Sequence, residues 1–340
     1  MLYFINDYSE GMAPQILDVM ISSNMSKQSG YGDDEFCISA KEKIKKEIGM
    51  DAEIFFVSGG TQANKIVIAS ILKNYEGVIA ADTGHIAVHE AGAIENTGHK
   101  VFTLNSKDGK IDAGSIKRFC ENFYADVNHE HMVYPGMVYI SQPTEYGTLY
   151  SKKELEEINK VCKEYELLLF ADGARLAYAL GSSECDTSLK SIAKLCDVFY
   201  IGGTKCGALL GEAIVFTNKN ICKHFFTDMK LFGGVLAKSR VMGIQFDVLF
   251  GDGLYERLGR AGVDAAMKIK QVLIEKGYEL YLDSVTNQQF IVVDDTVRRK
   301  LSEKVAFGFM ETIDTGKHVI RFCTSWATRD EDVESLISVL

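Results

Sequence analysis

The sequence predicts an α/β fold, with a mostly parallel sheet in a large first domain and a smaller α+β domain after it. Two observations lead to this prediction. Short apolar runs alternate with helical patterns through the first two-thirds of the chain, which is typical of parallel strands joined by right-handed helical crossovers. From about Gly251, one long helical stretch is followed by closely spaced strand-like runs. We therefore predict one domain over residues 1–250 and a second over residues 251–340.

The first domain contains short apolar runs, bounded by polar residues or glycines, that we predict to be strands. They are Ile54–Val57, Val78–Ala81, Val101–Leu104, Val138–Ser141, Leu167–Ala171, Val198–Ile201 and Glu212–Phe216. Helical patterns separate most of these runs, for example over about Gln62–Leu72 and over Lys153–Glu164. Because Glu212–Phe216 follows the previous run too closely for a helical crossover, we predict that this strand is antiparallel.

The second domain is predicted to begin with a helix over Gly253–Lys276 and to end with a helix over Glu331–Leu340. The runs between these helices are predicted to be strands, namely Tyr278–Leu282, Gln289–Val293, Val305–Phe309 and His318–Cys323. The N-terminal segment is a candidate to pack on this domain, a placement that the sequence leaves open. Since the chain has only three prolines and no linker rich in Pro and Gly, we expect the two domains to be rigidly joined.

Charge and composition exclude several classes of function. The formal net charge of −10 and the isoelectric point near 5.3 lack the positive footprint that nucleic acid requires, so no nucleic-acid partner is expected. Eight cysteines without a C-x-x-C pair argue against a disulfide framework and a zinc knuckle, and they fit the reduced thiols of a cytoplasm. The chain shows neither a signal-peptide pattern nor an apolar run of transmembrane length. We therefore expect a cytoplasmic protein without a membrane partner.

Polar residues close two neighbouring apolar runs of the predicted sheet. Asp172 and Arg175 follow one run, and Thr204 and Lys205 follow the next. Pyridoxal phosphate requires a lysine that forms a Schiff base with its aldehyde, and an acid that keeps its ring nitrogen protonated so that the ring accepts electrons. Either residue alone is more simply explained, Asp172 as a helix cap and Lys205 as a surface lysine. The two together, each closing a hydrophobic strand, favour pyridoxal phosphate as the cofactor.

The segment SGGTQAN at residues 58 to 64 lies between a predicted strand and a predicted helix. Backbone N–H groups exposed by Gly60 and its neighbour, together with the Thr61 hydroxyl, form a natural anion site at a helix N-terminus. A simple turn with a helix cap is the alternative. Because the dinucleotide and nucleoside-triphosphate signatures are absent, the sequence favours a single phosphate.

Histidines and one arginine are the remaining candidates. His85 follows a predicted strand, where its imidazole can stack on a cofactor ring or move protons. His85, His89, His129 and His131 could be imagined as a metal site, but no H-E-x-x-H motif is present and we expect no metal. Arg321 lies in a hydrophobic run and is expected to point inward, where it binds either an anionic ligand or an internal acid.

Several segments, taken in order, resemble the threonine aldolase and β-eliminating lyase family of pyridoxal-phosphate enzymes. They are NDYSEG, YGDDE, GGTQAN, HIAVHEAGA, ADGAR, the run leading to Thr204 and Lys205, and VIRFCTSWAT. The likeness covers nearly the whole chain and is strongest to the low-specificity L-threonine aldolases. It implies the transferase-like fold type I with a seven-stranded sheet. It also implies retro-aldol cleavage of a small amino-acid substrate, threonine or allo-threonine, to glycine and acetaldehyde. A β-eliminating lyase or an aminotransferase is the alternative enzyme, and a histidine-based metal-binding protein is the alternative from another class.

The same resemblance implies the residues that hold the cofactor. Lys205 would be the Schiff-base lysine, and Asp172 would pair with the pyridinium nitrogen. Gly60 and Thr61 would hold the phosphate, and Thr204 and Arg175 would also contact the cofactor. His85 would stack on the ring and take part in proton transfer.

The resemblance further implies the residues that bind substrate. Arg321 would bind the carboxylate of the amino acid, and Arg175 would lie near that carboxylate or the cofactor. His131 would be the second active-site histidine, with His129 as the alternative. Tyr31 would approach from a neighbouring subunit, which implies a homodimer or homotetramer with shared sites. Asn6 would also contact the substrate, in an N-terminal motif where the family commonly has a serine. The chain departs from the family further in having Gln142-Pro143 where Glu-Asn is common and Cys206 after the lysine where glycine is common, so side-chain range and stereochemistry stay open.

Overall fold

A computed structural model describes residues 1–221 and 223–340 of the chain. Its strands, numbered in chain order, are β1 Leu2–Phe4, β2 Glu53–Val57, β3 Glu76–Ala81, β4 Val101–Leu104, β5 Tyr134–Ser141, β6 Leu168–Asp172, β7 Val198–Gly202, β8 Glu212–Phe216, β9 Glu279–Leu280, β10 Gln288–Asp294, β11 Val305–Asp314 and β12 Lys317–Cys323.

Its helices are α1 Pro14–Ser23, α2 Glu35–Ile48, α3 Gly60–Ile71, α4 His85–Val88, α5 Ala113–Ala125, α6 Lys152–Glu164, α7 Leu176–Gly181, α8 Leu189–Leu195, α9 Phe225–Leu231, α10 Arg240–Leu249, α11 Leu254–Glu275, α12 Asp295–Ser302 and α13 Asp330–Val339. In the part of the chain so described, no helix combines the length and the apolar character that a membrane span needs.

The large sheet has the strand order β2-β8-β7-β6-β5-β3-β4. Strand β8 is antiparallel to both of its neighbours, and the other pairs are parallel. The predicted mostly parallel sheet and its antiparallel member are therefore confirmed. Because β3 and β5 are neighbours while β4 lies on the far side of β3, the order reverses there, and ligands bind at such a reversal beyond the carboxyl ends of the strands.

Both faces of this sheet are buried, since successive side chains of a strand point to opposite faces. In β6, Leu169 and Ala171 join a core formed with α2, α6, α8 and α10. Phe170 of the same strand joins a second core formed with α3 and α9. The helices on both faces therefore hold the strands in register and present their carboxyl ends at one edge.

The small sheet has the order β1-β11-β12-β10-β9, and α11 and α13 contribute apolar residues to the core behind it. Strand β1 pairs in parallel with β11, so the first residues of the chain are part of this sheet. Helix α12 was not predicted from the sequence. It begins at a cap in which the Asp294 carboxylate accepts the Val297 N–H at 2.8 Å, and its interior is mostly charged. The domain boundary near residue 250 stays a prediction.

Candidate active site

A cavity of about 200 Å³ opens where the carboxyl ends of β5, β6 and β7 meet the turn after β2. Its walls include all the predicted cofactor residues: Gly60, Thr61, His85, Asp172, Arg175, Thr204 and Lys205. These residues come from four separate segments, which converge because parallel strands end at the same edge.

Asp172 is the last residue of β6, and its carboxylate is buried within a set of donors. The Ala174 N–H donates to Oδ1 at 2.9 Å, while the Tyr139 hydroxyl and the Asn64 amide donate to Oδ2 at 2.5 and 3.1 Å. Burial alone would raise the pKa of Asp172, but these hydrogen bonds, a further one from Tyr200 and the charge of His85 lower it below the usual value. Asp172 is thus held as an anion.

His85 begins α4, and its ring is anchored from behind by a buried acid. Its Nδ1 lies 2.8 Å from Oε1 of Glu90, and the Asn64 amide donates to that same oxygen at 2.7 Å. Asn64 thereby links Glu90 to Asp172. Burial would lower the pKa of His85, but the bond to Glu90 and the charges of Asp172 and Glu90 raise it. The ring is fixed in orientation and carries a proton more readily than a free histidine.

Lys205 lies in the turn after β7, and its amine makes no hydrogen bond or ion pair with any residue of the described ranges. Burial and the positive charge of Arg175 lower its pKa, against the opposing effect of the nearby Asp7, Asp172 and Glu212 carboxyls. A lysine with a lowered pKa and no partner is the form that a carbonyl compound requires for covalent bonding.

The turn from Ser58 to Thr61 forms one wall of the cavity and opens helix α3. No side chain caps this twelve-residue helix, so its first N–H groups are available to an anion. A Cβ placed on Gly60 would lie 3.0 Å from the Tyr200 hydroxyl, so a side chain there would crowd the residue that faces Asp172. The backbone at this position is free to approach an anion closely.

Two further acids line the cavity that sequence reasoning did not select. Glu145 accepts the Ser141 hydroxyl at 2.7 Å and the His85 N–H at 3.0 Å, and its burial raises its pKa. Glu212, at the start of β8, accepts the Thr204 hydroxyl at 2.9 Å and the Gly203 N–H at 3.1 Å. The sequence does not show that these two acids reach the cavity, because this follows only from the order of the strands in the sheet.

Arg175 lines the cavity, but a third unpredicted acid occupies its guanidinium. The fully buried Asp7 carboxylate accepts hydrogen bonds from Arg175 Nε at 2.7 Å and from Arg175 Nη2 at 3.1 Å. Asn287 donates to the same carboxylate at 2.9 Å, so Asp7 joins the N-terminal segment to the turn before β10. Burial would raise the pKa of Asp7, but Arg175 and Lys205 lower it. Most of the positive charge of Arg175 is therefore balanced within the chain.

Arg321 lies on β12, and within the described ranges it has no carboxylate partner. Its Nη1 donates to the Gln288 side-chain oxygen at 2.8 Å and its Nη2 to the Ile5 carbonyl at 3.0 Å, while its buried Nε has no acceptor. Of the two alternatives for Arg321, the internal ion pair is therefore not formed among the described residues, and no carboxylate of these residues balances the guanidinium charge. The positive charge of Arg321 contributes to lowering the pKa of His89. The ring centre of His89 lies 5.9 Å from that of His85.

The structure does not bring His131 or His129 to this cavity within a single chain, and their place in the site stays a prediction. Both lie in a short 3-10 turn over His129–His131 that precedes β5, whereas the cavity is reached from Ser141 at the other end of that strand. His129 packs instead against Phe123 and Tyr134. His89 lies beside His85 but, like His129 and His131, is not among the residues that line the cavity.

Three predicted substrate contacts lie outside the cavity walls, namely Arg321, Asn6 and Tyr31. The side-chain oxygen of Asn6 accepts the Tyr8 N–H at 3.0 Å and the Ser9 hydroxyl at 2.9 Å, so it closes a local turn, and the adjacent Asp7 points inward. Tyr31 is 50% exposed and has φ of +62°, with the Lys230 ammonium 5.0 Å from its ring centre. Its predicted approach to a neighbouring subunit's site stays a prediction.

The residues of the cavity fit pyridoxal phosphate. An unpartnered amine, a hydrogen-bonded aspartate held as an anion, a fixed imidazole and a glycine-bounded helix N-terminus are the donors that this cofactor uses. No group of three or more histidine, cysteine or carboxylate side chains within the described ranges is arranged to hold a metal ion.

Comparison with known proteins gives a consistent result. A profile of the beta-eliminating lyase family matches residues 5–296 of the chain. The low-specificity L-threonine aldolase of a Pseudomonas species is 30% identical over 336 residues, which are 98% of this chain and 95% of that protein.

Two solved structures are similar to the whole chain. A threonine aldolase from Leishmania major superposes with a TM-score of 0.96 at 41% identity, covering 100% of this chain and 98% of its own. Cystalysin from Treponema denticola, whose crystal structure contains pyridoxal 5'-phosphate, superposes with a TM-score of 0.74 over 99% of this chain and 89% of its own. At 15% identity the second likeness concerns the fold alone. The predicted fold type I is confirmed.

Proposed function

The chain belongs to the beta-eliminating lyase family, and from this premise we propose that it is a pyridoxal-phosphate-dependent aldolase. It cleaves β-hydroxy-α-amino acids, with threonine or allo-threonine giving glycine and acetaldehyde. The observation that carries the proposal is the convergence of the unpartnered Lys205 amine and the anionic Asp172 in one cavity. The full-length likeness to threonine aldolases supports this reaction over β-elimination or transamination.

The cofactor would be held by three groups of this chain. Lys205 would bond its aldehyde, and the turn from Ser58 to Thr61 together with Thr204 would receive its phosphate. Asp172 would face the ring nitrogen and keep its proton by opposite charge. When bound, the protonated ring supplies an electron sink for the pair released as the Cα–Cβ bond breaks.

Arg321 is proposed to bind the substrate carboxylate. Its guanidinium has no anionic partner in the described chain, while Arg175 is already paired with Asp7. Contacts to Gln288 and Ile5 hold the planar fork in place, so it is oriented before the substrate arrives. The guanidinium of Arg321 would thereby balance the charge of a single α-carboxylate.

His89 is proposed as the base that takes the β-hydroxyl proton. Partial burial and the positive charges of His85 and Arg321 lower its pKa, so its ring is neutral at physiological pH. His85 has the opposite shift, because Glu90 and Asp172 favour its protonated form. A fixed, protonated ring suits stacking and donation, and a neutral ring suits proton removal.

The proposed function is tested by borohydride reduction of the purified protein with pyridoxal phosphate, followed by peptide mass spectrometry. The cofactor mass is expected on the peptide that contains Lys205, and Lys205→Ala should abolish both the modification and turnover. Acetaldehyde and glycine should form from threonine. Labelling of another lysine would overturn the site, and pyruvate with ammonia from serine in place of aldol products would favour the eliminating lyase.

We also propose that the protein works in the cytoplasm as a homodimer or homotetramer. The seven cysteines described by the structure are free thiols, which supports a reducing compartment. Tyr31 is exposed outside its own cavity and is therefore available to a second copy. Mixing Lys205→Ala chains with Tyr31→Ala chains should restore activity in the hybrids if Tyr31 acts across subunits, and should restore none if it acts within its own chain.

A further inference from the structure

Glu212 is a buried acid of the cavity to which the proposed mechanism assigns no role. It is 3% exposed and begins strand β8, where it pairs with Val57 on one side and Gly202 on the other. Val57 immediately precedes the Ser58–Thr61 turn, and Gly202 precedes the turn that holds Thr204 and Lys205. The carboxyl group therefore lies between the two turns proposed to receive the phosphate.

The hydrogen bonds of Thr204 depend on whether Glu212 carries a proton. The Thr204 oxygen accepts the Gly211 N–H at 3.0 Å and lies 2.9 Å from Glu212 Oε1. A hydroxyl has a single proton. If Glu212 is ionised, that proton points to Glu212 and only a lone pair of Thr204 faces the cavity. If Glu212 is neutral, its O–H can donate to Thr204, and the threonine proton is released for a ligand. The Gly211 carbonyl, at 3.5 Å, is a poor competitor.

The charges around Glu212 favour its neutral form. Burial raises its pKa to about 8, with Asp172 acting in the same direction, against the Lys205 charge and the bonds from Thr204 and Gly203. The other ionisable groups within its reach, Tyr200 and Tyr255, are neutral because burial raises their pKa well above the usual value. The cations on the described cavity walls are Lys205, the already paired Arg175, and His85, whose charge Glu90 balances.

We propose that Glu212 is a positioning residue of the phosphate site, which is protonated whenever the phosphate is bound, takes up that proton on binding where it is ionised beforehand, and thereby turns the Thr204 hydroxyl into a phosphate donor. The inference rests on the proposed cofactor. The charge balance is simple: one proton from solvent adds to the Glu212 carboxylate, and no other bond changes. Without this proton, two phosphate charges would be buried beside a third negative charge with no added cation, which is strongly unfavourable.

The consequence is a cofactor affinity that depends on pH. Below about pH 8 Glu212 is already neutral and binding needs no proton. Above that pH each unit should weaken binding by up to about tenfold, because one proton must be taken up per phosphate bound. The phosphate itself does not add to this slope, since its second pKa is near 6.

The experiment measures the dissociation constant of pyridoxal phosphate from about pH 7 to pH 9.5 for the wild-type protein and for Glu212→Gln. Glutamine mimics the neutral acid, because its amide N–H donates to Thr204 and its oxygen accepts from Gly203. The variant should bind at pH 9 at least as well as the wild type, with less than about a twofold change across the range. Pyridoxal, which lacks the phosphate, is the matched ligand and should show the same slope in both proteins.

Titration calorimetry of the wild type in two buffers of different ionisation enthalpy should detect about one proton taken up near pH 9 with pyridoxal phosphate and none with pyridoxal. This measurement needs no variant. The role of Glu212 would be overturned if the affinity for pyridoxal phosphate changed equally with pH in the wild type and in Glu212→Gln, or if both ligands caused the same proton uptake. Either result would leave the proposed cofactor untouched. A wild-type protein that binds no pyridoxal phosphate at any pH would instead refute the proposed function.

Discussion

Replacement of Arg321 by lysine tests how the substrate is recognised. The guanidinium uses Nη1 and Nη2 to contact Gln288 and Ile5, and these contacts fix its plane. A lysine ammonium is a point charge on a flexible stem and cannot keep both contacts while it offers two parallel donors to a carboxylate. Breaking a desolvated charge pair of this kind costs on the order of 2–4 kcal/mol. We therefore expect KM for threonine to rise about 30- to 700-fold.

The assay compares KM and kcat for threonine, together with the visible absorption of the bound cofactor and the melting temperature. Since Arg321 forms no ion pair in the described chain, Arg321→Lys should leave the absorption spectrum and the melting temperature nearly unchanged. Arg329→Lys, at an exposed ion pair with Asp332, is the matched control and should change none of these quantities. A variant that binds threonine normally but melts at a much lower temperature would refute the reasoning and make Arg321 a structural residue.

Three further predictions address the rest of the site. Asp172→Asn should keep the fold but lose most of kcat, because an amide cannot hold the ring proton by charge; near-normal kcat would remove Asp172 from that role. His89→Asn should lower kcat by about 10²–10⁴-fold. In the wild type, the rate should fall on the acid side, below the lowered pKa of His89, because the protonated ring cannot accept a proton. His131→Asn, far from the cavity, is its control, and equal loss in both variants would refute the assignment. Asp7→Asn leaves the buried Arg175 without its counter-charge and should cost about 3–5 kcal/mol of unfolding free energy by denaturant titration, whereas an unchanged midpoint would show that the pair is not structural.

The secondary structure of the large domain could be predicted because its strands are short apolar runs that end in glycines or polar residues. Val101–Leu104 and Glu212–Phe216 have the predicted bounds, and most other strands differ by one or two residues. Strand β5 begins four residues earlier than predicted, at Tyr134, because Tyr134 and Pro135 pair with the end of β3 that precedes its apolar part. Helix α12 escaped prediction because its cap is local but its stability comes from packing Leu301 into the small-domain core.

The sequence by itself determined which reactive residues follow the strands of the large sheet. Asp172 and Lys205 each close an apolar run, and the carboxyl ends of parallel strands always meet at one edge, so their convergence follows from the pattern. It did not determine which loops reach that edge. His131 and His89 are equally plausible as sequence, but they lie at opposite ends of the sheet because one precedes a strand and the other follows one.

Only the tertiary structure decided the charge balance of the site. Asp7 and Arg175 are 168 residues apart in the chain, yet they pair, whereas Arg321 has no anionic partner in the part of the chain that the structure describes. Glu212 came to lie between two turns because β8 inserts antiparallel between β2 and β7. Propensity and periodicity act over a few residues, whereas the energy of a buried charge depends on which distant segments surround it. That dependence is why residue types could be recognised in the sequence while their ionisation and partners could not.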